Sequence, residues 1–329
     1  MIEATLASEA KAARETAALS DRSGRGLLSA RGNDRQAFLH AMLSQSVKDL
    51  APGQGCRAEL LDDRGHVVAD FRVLVLADEV RLDCDTPAIA AKAFAALEKF
   101  IIMDDVQLAD VSGDSAVLTL SGRGAGALLL RCGAGAIPSG AWSSAAWTIG
   151  PEPVLLVSAK WTGSADFDVH LPATAKAAVR ATLLAAGAAN ISGDTFRALR
   201  IEAGVATQTD ELDDVLALEA NLAPEAVSFT KGCYLGQEVM ARIDARGHVN
   251  RMLVGLTLDG DAPAIRGAVL RAGDKDVGRI TSSAISPALG KPIALAYLRR
   301  EHSAPGTAIT VRAESGERPA IVAALPFVR

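Results

Sequence analysis

From Arg251 onward the chain offers no apolar stripe of helical period and helical length. It carries short strand-like runs at Leu253 to Leu258, Ala268 to Arg271, Val277 to Thr281, Ile293 to Tyr297, Ala308 to Val311 and Ala320 to Leu325, separated by Gly, Pro and Asp. Runs this short, joined by turn residues, bury their apolar sides only by closing on one another. They predict a small antiparallel β-barrel.

Upstream the texture is different. A helix is expected from Asp34, with Phe38, Leu39, Met42 and Leu43 on one face, ending before Pro52-Gly53. Arg57 to Leu61 and Val67 to Leu76 flank Asp63-Arg64-Gly65, a hairpin composition. Val80 to Cys84 reads as a third strand. Thr86-Pro87 then opens a helix, with a capping hydroxyl followed by a residue that has no N–H to satisfy. Further strands at Ala116 to Leu120, Val154 to Ser158 and Phe167 to Leu171 alternate with helices at Gly124 to Arg131, Pro172 to Ala186 and Thr195 to Ala203. The mixture is α+β to about Ile243. The expected division is an N-terminal extension over 1–20, intertwined α+β domains over 21–245 and a barrel over 246–329. No internal repeat is visible.

Composition narrows the function. The 329 residues are 49% hydrophobic and carry a net charge of -5, so a basic footprint for nucleic acid is missing. No apolar run is long enough to span a bilayer. Glu3, Glu9 and Glu15 near the start fit neither a secretory signal nor a mitochondrial presequence, so a cytosolic protein is expected. The four cysteines, Cys56, Cys84, Cys132 and Cys233, are scattered, with no C-x-x-C pair. They form no local ligand set for zinc or an iron–sulfur cluster, and no metal held by the monomer is expected.

Lys231-Gly232-Cys233-Tyr234-Leu235-Gly236-Gln237-Glu238 stands out from the alanine-rich background. Two glycines mark tight backbone geometry around a cation, a thiol and a phenol. The apolar pattern resumes at Val239-Met240, so Gln237-Glu238 is expected to open a helix. Lys231 and that helix N-terminus would both favour a Cys233 thiolate. The plain alternative is a Gly-flanked turn with an incidental cysteine.

With Ala241-Arg242 just after it, this segment resembles the K-G-C-Y-x-G-Q-E-x-x-A-R signature of the YgfZ-type folate-binding proteins of iron–sulfur cluster assembly. Arg200-Ile201-Glu202-Ala203-Gly204 is similar to that family's R-x-E-A-G segment. Leu218-Glu219-Ala220-Asn221-Leu222 is similar to its P-L-E-x-N-L segment, with Ala217 at the proline position. Asn33 to Leu39 and Gly278 to Ser282 resemble its N-terminal element and its barrel.

The resemblance implies the fold of the glycine-cleavage aminomethyltransferase, three domains around a folate-sized channel. It implies tetrahydrofolate or a derivative as ligand. Glu219 would bind the pterin, with Arg200, Glu202, Asp70, Tyr234, Gln237, Glu238 and Arg242 near the site and Cys233 and Lys231 as the reactive pair. Transient partners would be iron–sulfur client enzymes or cluster assembly proteins. The aminomethyltransferases carry G-G-x-x-D-D where this chain has Gly65-His66-Val67-Val68-Ala69-Asp70, and an acid where it has Cys233. One acid of the pair is missing. A folate-dependent aminomethyl or one-carbon transferase is the alternative.

Overall fold

The hairpin Gly55–Leu61 and Val67–Val75 shows how this sequence divides its work between two faces. Alternation sends Ala58, Leu60, Ala69, Phe71 and Val73 to one side, into a core with Phe38, Leu39, Ala93 and Leu97 of the two covering helices. Cross-strand partners share a face, so Arg57 opposite Arg72 and Glu59 opposite Asp70 all point to the other side. All four are buried there.

The computed structural model describes residues 2–313 and 316–328. The hairpin begins a five-stranded antiparallel sheet continued by Val80–Cys84, Gly26–Arg31 and Gln107–Asp110. A second, six-stranded sheet runs Ala189–Asn190, Ala18–Asp21, Ser115–Ser121, Asp166–Pro172, Glu152–Ala159 and Ser144–Ile149. The third unit is the expected barrel. Arg251–Leu258, Lys291–Arg299, Lys275–Ser286, Val269–Ala272, Ala308–Ala313 and Gly316–Ala323 close on one another, and among the described residues only a short 3-10 turn at Arg300–His302 interrupts the strands.

Caps set the helix starts. The Thr86 hydroxyl accepts from Ile89 N at 3.3 Å to open Pro87–Glu98. The Ser192 hydroxyl accepts from Thr195 N at 3.2 Å, which starts Gly193–Glu202 two residues before the sequence expectation. Val227–Leu235 stays non-helical, and Gln237–Arg246 begins where the motif predicts.

The N-terminal residues are built into the molecule. Helix Ile2–Glu15 lies against Gly193–Glu202: Glu9 accepts from Ser192 N and the Thr195 hydroxyl, and Arg14 pairs with Glu202. Ala18–Asp21 then joins the six-stranded sheet.

A structural echo also escaped the sequence reading. Strand Gly26–Arg31 turns through Gly32 into helix Arg35–Met42, and Ser115–Ser121 turns through Gly122 into Ala125–Arg131. Both glycines have φ near +100° or more (101° and 120°), and a Cβ would strike Asp105 O or Thr16 O. The two turns share geometry but little side-chain identity.

Candidate functional site

The three sheet units meet at a cleft of about 600 Å³. Arg57 and Arg72 of the hairpin form one wall, and Trp142, Lys160 and Trp161 of the six-stranded unit form another. Ala220-Asn221-Leu222 and the barrel residue Leu253 lie below. Trp161 is fully buried, with the guanidinium carbons of Arg22 and Arg72 at 3.9 and 4.5 Å from its ring centre. The lining combines aromatic rings, apolar side chains and cations, the usual make-up of a site for a flat, partly anionic ligand.

Asp70 sits behind this wall. Arg57 donates to both of its oxygens, Nε to Oδ1 at 2.7 Å and Nη2 to Oδ2 at 2.8 Å, and Arg72 Nη1 lies 3.1 Å from Oδ2. Its peptide N–H is held by the Gln208 side chain at 2.9 Å. Next in the network is Asp85, where burial opposes ionisation but Arg72, Arg25 and Arg22 outweigh it and hold the pKa near 2. Asp70 is therefore a charge-compensated carboxylate with a fixed orientation.

Glu219 lies beside the cleft, buried, and accepts from Arg251 Nε at 2.8 Å. Its own carbonyl accepts from Leu253 N at 2.8 Å, and Asn221 Nδ2 donates to Leu253 O at 3.0 Å. Asn221 adopts φ +60°, a left-handed conformation that Asn tolerates better than most residues. The Leu218–Leu222 segment is thus zipped onto the first barrel strand.

Arg200 and Glu202 are occupied elsewhere. Arg200 donates to Val205 O, Glu211 and Asp210 at 2.7, 2.8 and 2.8 Å. Glu202 accepts from the Ser286 hydroxyl, Ala288 N and Arg14. These bonds tie helix Gly193–Glu202 to the loop after it, to the barrel and to the N-terminal helix.

The motif folds as a turn leading into a helix. Gly236 has φ +80°, and a Cβ there would meet Asp62 O at 2.6 Å and Leu61 Cβ at 2.9 Å, so only glycine fits. Gln237 Oε1 accepts from Tyr234 N at 3.1 Å, while Gln237 N donates to Tyr234 O at 3.2 Å. Tyr234 is buried, and burial followed by the Glu59 charge pushes its phenol up to about 12. Glu238 and Arg242 form an exposed i,i+4 pair at 2.7 Å.

Lys231 departs from the sequence expectation. Its ammonium donates to the carbonyls of His40, Leu43 and Gln45, at the end of helix Arg35–Met42. An ammonium has three protons, so none remains for Cys233. Burial brings Lys231 down to about 8, and it stays charged at neutral pH. Cys233 is exposed, whereas Cys84 is buried and Cys56 and Cys132 are half-buried. Burial raises all three of the others, Cys56 and Cys84 to about 12.

One cluster among the described residues has metal-like spacing: Asp83, Asp168 and His170, with ligand atoms within 4.8 Å of one another. Both Asp83 oxygens already accept from Arg25, at 2.6 and 2.8 Å, and Asp168 accepts from Thr119 and from Trp161 Nε1. Arg25 supplies a countercharge to Asp83 there, and Arg22 lies 4.0 Å from Asp168.

Residues 2–231 match the GCVT N-terminal domain, and residues 251–329 match the glycine cleavage T-protein C-terminal barrel domain. The chain belongs to the glycine cleavage T-protein family. An aminomethyltransferase of Saccharopolyspora erythraea is 30% identical over 98% of this chain and 90% of its own. One from Thermosynechococcus vestitus is 28% identical over 98% and 87%. The glycine cleavage aminomethyltransferase of Bartonella henselae superposes with a TM-score of 0.87 at 24% identity, covering 98% of this chain and 89% of that one.

Within this T-protein fold, sequence reasoning missed Arg57, Arg72, Trp142, Trp161 and Lys160. A signal for the arginines was present. The second hairpin strand carries Asp70 and Arg72 between apolar residues, and Arg57 precedes Glu59 on the first. Charges on strands with both faces buried must meet one another or a ligand.

Proposed function

We propose that this protein is a tetrahydrofolate-binding accessory factor of the YgfZ type, serving the assembly or repair of iron–sulfur clusters in client enzymes through Cys233. The observation that carries this reading is the fixation of Asp70. A base for aminomethyl transfer needs a carboxylate free to take and return a proton. Here the one acid retained from the G-G-x-x-D-D pattern is bound at both oxygens by Arg57 and contacted by Arg72. The motif supplies an exposed thiol instead.

Folate chemistry suits the cleft. Its volume is within the range of small-molecule sites, Trp142 contributes an aromatic wall, and Lys160 suits a carboxylate of a glutamyl tail. Glu219, beside the cleft, is the carboxylate assigned to the pterin edge. Folate-dependent aminomethyl transfer is the second reading, favoured by the names of the curated relatives.

A deletion strain complemented with wild type and with Cys233→Ala separates the two. The accessory role requires client cluster-enzyme activity to fall in the Cys233→Ala strain while tetrahydrofolate binding is retained. Turnover of aminomethylated carrier protein by the purified chain, unaffected by Cys233→Ala, supports the second reading and defeats the first.

A further inference from the structure

The sheet face behind the cleft carries a second carboxyl, and it has no partner. Glu59 is 0% exposed, and neither of its oxygens accepts or donates a hydrogen bond. Its place is fixed by strand geometry. Arg57, two residues before it on the same face, is cleft wall. Leu61, two residues after it, belongs to an apolar cluster with Ala220, Leu222 and Leu253, which line the cleft, and with Tyr234 and Tyr297. Glu59 itself does not line the cleft; it lies on the strand between Arg57, which does, and Leu61, which packs with residues that do.

Its strand neighbour does not help it. Asp70 faces Glu59 across the hairpin, but the arginines that approach are bonded to Asp70. Burial, then the Asp70 charge, push Glu59 up to about 8 against the pull of Arg57 and Arg72. At neutral pH it is mostly the neutral acid, with one O–H to donate and one C=O to accept. Tyr297, on the barrel side of the same cluster, is also buried with its hydroxyl unpartnered. Buried polar groups are rarely left unmatched, and here there are two, on different structural units, near enough for the Glu59 charge to act on the Tyr297 phenol.

We propose that Glu59 is a ligand-binding carboxyl directly behind the Arg57 wall of the cleft, met by a ligand that enters past that wall and pairing with a cyclic-amide edge that presents one N–H donor and one C=O acceptor. This rests on the folate reading, since the pyrimidinone ring of a reduced folate carries such an edge. It adds a second acid to the site: with the ring N–H paired to Glu59, Glu219, whose Oε2 is engaged by Arg251, is left the exocyclic amine.

The test is anaerobic titration calorimetry of the intact chain with tetrahydrofolate, together with urea unfolding of the ligand-free proteins. Glu59→Gln keeps an N–H donor and a C=O acceptor, and Glu59→Met keeps the volume without either. Wild type and Glu59→Gln are expected to bind alike, and Glu59→Met to bind at least about tenfold more weakly. Ligand-free Glu59→Met should be at least as stable as wild type, because an unpartnered acid has been removed. Equal binding by wild type and Glu59→Met overturns this inference and leaves the folate reading standing. So does an equal loss in both variants, or a marked loss of ligand-free stability in Glu59→Met, which marks a structural acid. No binding by wild type overturns the folate reading and this inference with it.

Discussion

Arg57 grips Asp70 by two parallel hydrogen bonds across the hairpin, at 2.7 and 2.8 Å, with both side chains buried. Replacing Asp70 by Asn keeps the shape but removes the charge that compensates Arg57 and Arg72. Breaking a buried pair from one side costs about 3–5 kcal/mol. Urea denaturation of Asp70→Asn should show a loss of that order, whichever reaction the cleft serves. A change below about 0.5 kcal/mol, typical of surface sites, would mean that Asp70 is not held as described.

Cysteine reactivity gives a second check. A brief pulse of iodoacetamide at neutral pH, read by mass spectrometry, should label Cys233 before the other three. Cys233 is exposed, whereas burial raises Cys56 and Cys84 to about 12 and also raises Cys132. Labelling of Cys132 first would show that exposure at the motif is lost in solution.

How much of this was legible in the sequence depended on whether a residue answers to local or distant partners. Thr86-Pro87 announced a helix start because the cap is satisfied three residues away. The barrel strands announced themselves by turn spacing. Gly236 was marked by the motif, though the reason it must be glycine is Asp62 O, on the hairpin. Lys231 misled, because Cys233 is near in sequence whereas its carbonyl partners lie 186 to 191 positions away. Arg200 and Glu202 matched a family segment, yet their side chains serve Glu211, Asp210, Ser286 and Arg14. Glu59 carried the same signal as Arg57, a charge between apolar strand residues, but nothing local told that it would be left without a partner.

The pH dependence of stability should expose Glu59. Its folded pKa, about 8, lies above the ordinary carboxylate value, so the folded state holds a proton that the unfolded state releases. Stability from this group is full below the ordinary carboxylate range and is lost as pH rises through about 8. Urea midpoints of Glu59→Gln across that interval should decline less than those of wild type. Parallel curves would show that Glu59 is ionised throughout.

Gly236→Ala tests the turn that presents the motif. The new Cβ would lie 2.6 Å from Asp62 O, a backbone atom, at a residue already at φ +80°. Strain of this kind costs on the order of 1–3 kcal/mol. Denaturation should register that loss, and the hairpin amides around Asp62–Gly65 should exchange faster. Wild-type stability in this variant would mean that the turn can relax freely.

Lys231 separates a structural cation from a reactive one. Its ammonium closes the end of helix Arg35–Met42 by meeting three carbonyls, those of Leu43 and Gln45 at 2.5 and 3.2 Å and that of His40. It also lies 5.0 Å from the centre of the Tyr234 ring. Carbonyls at a helix C-terminus carry partial negative charge, and a cation there is favourable. Lys231→Met removes the charge and all three donors, and should cost at least about 2 kcal/mol in urea denaturation. Lys231→Arg should not restore it, because a planar guanidinium cannot gather three carbonyls around one point. In the folded Lys231→Met protein the alkylation rate of Cys233 should be unchanged, since no Lys231 proton serves that thiol. A slower Cys233 with undiminished stability would reverse the assignment and return Lys231 to the reactive centre.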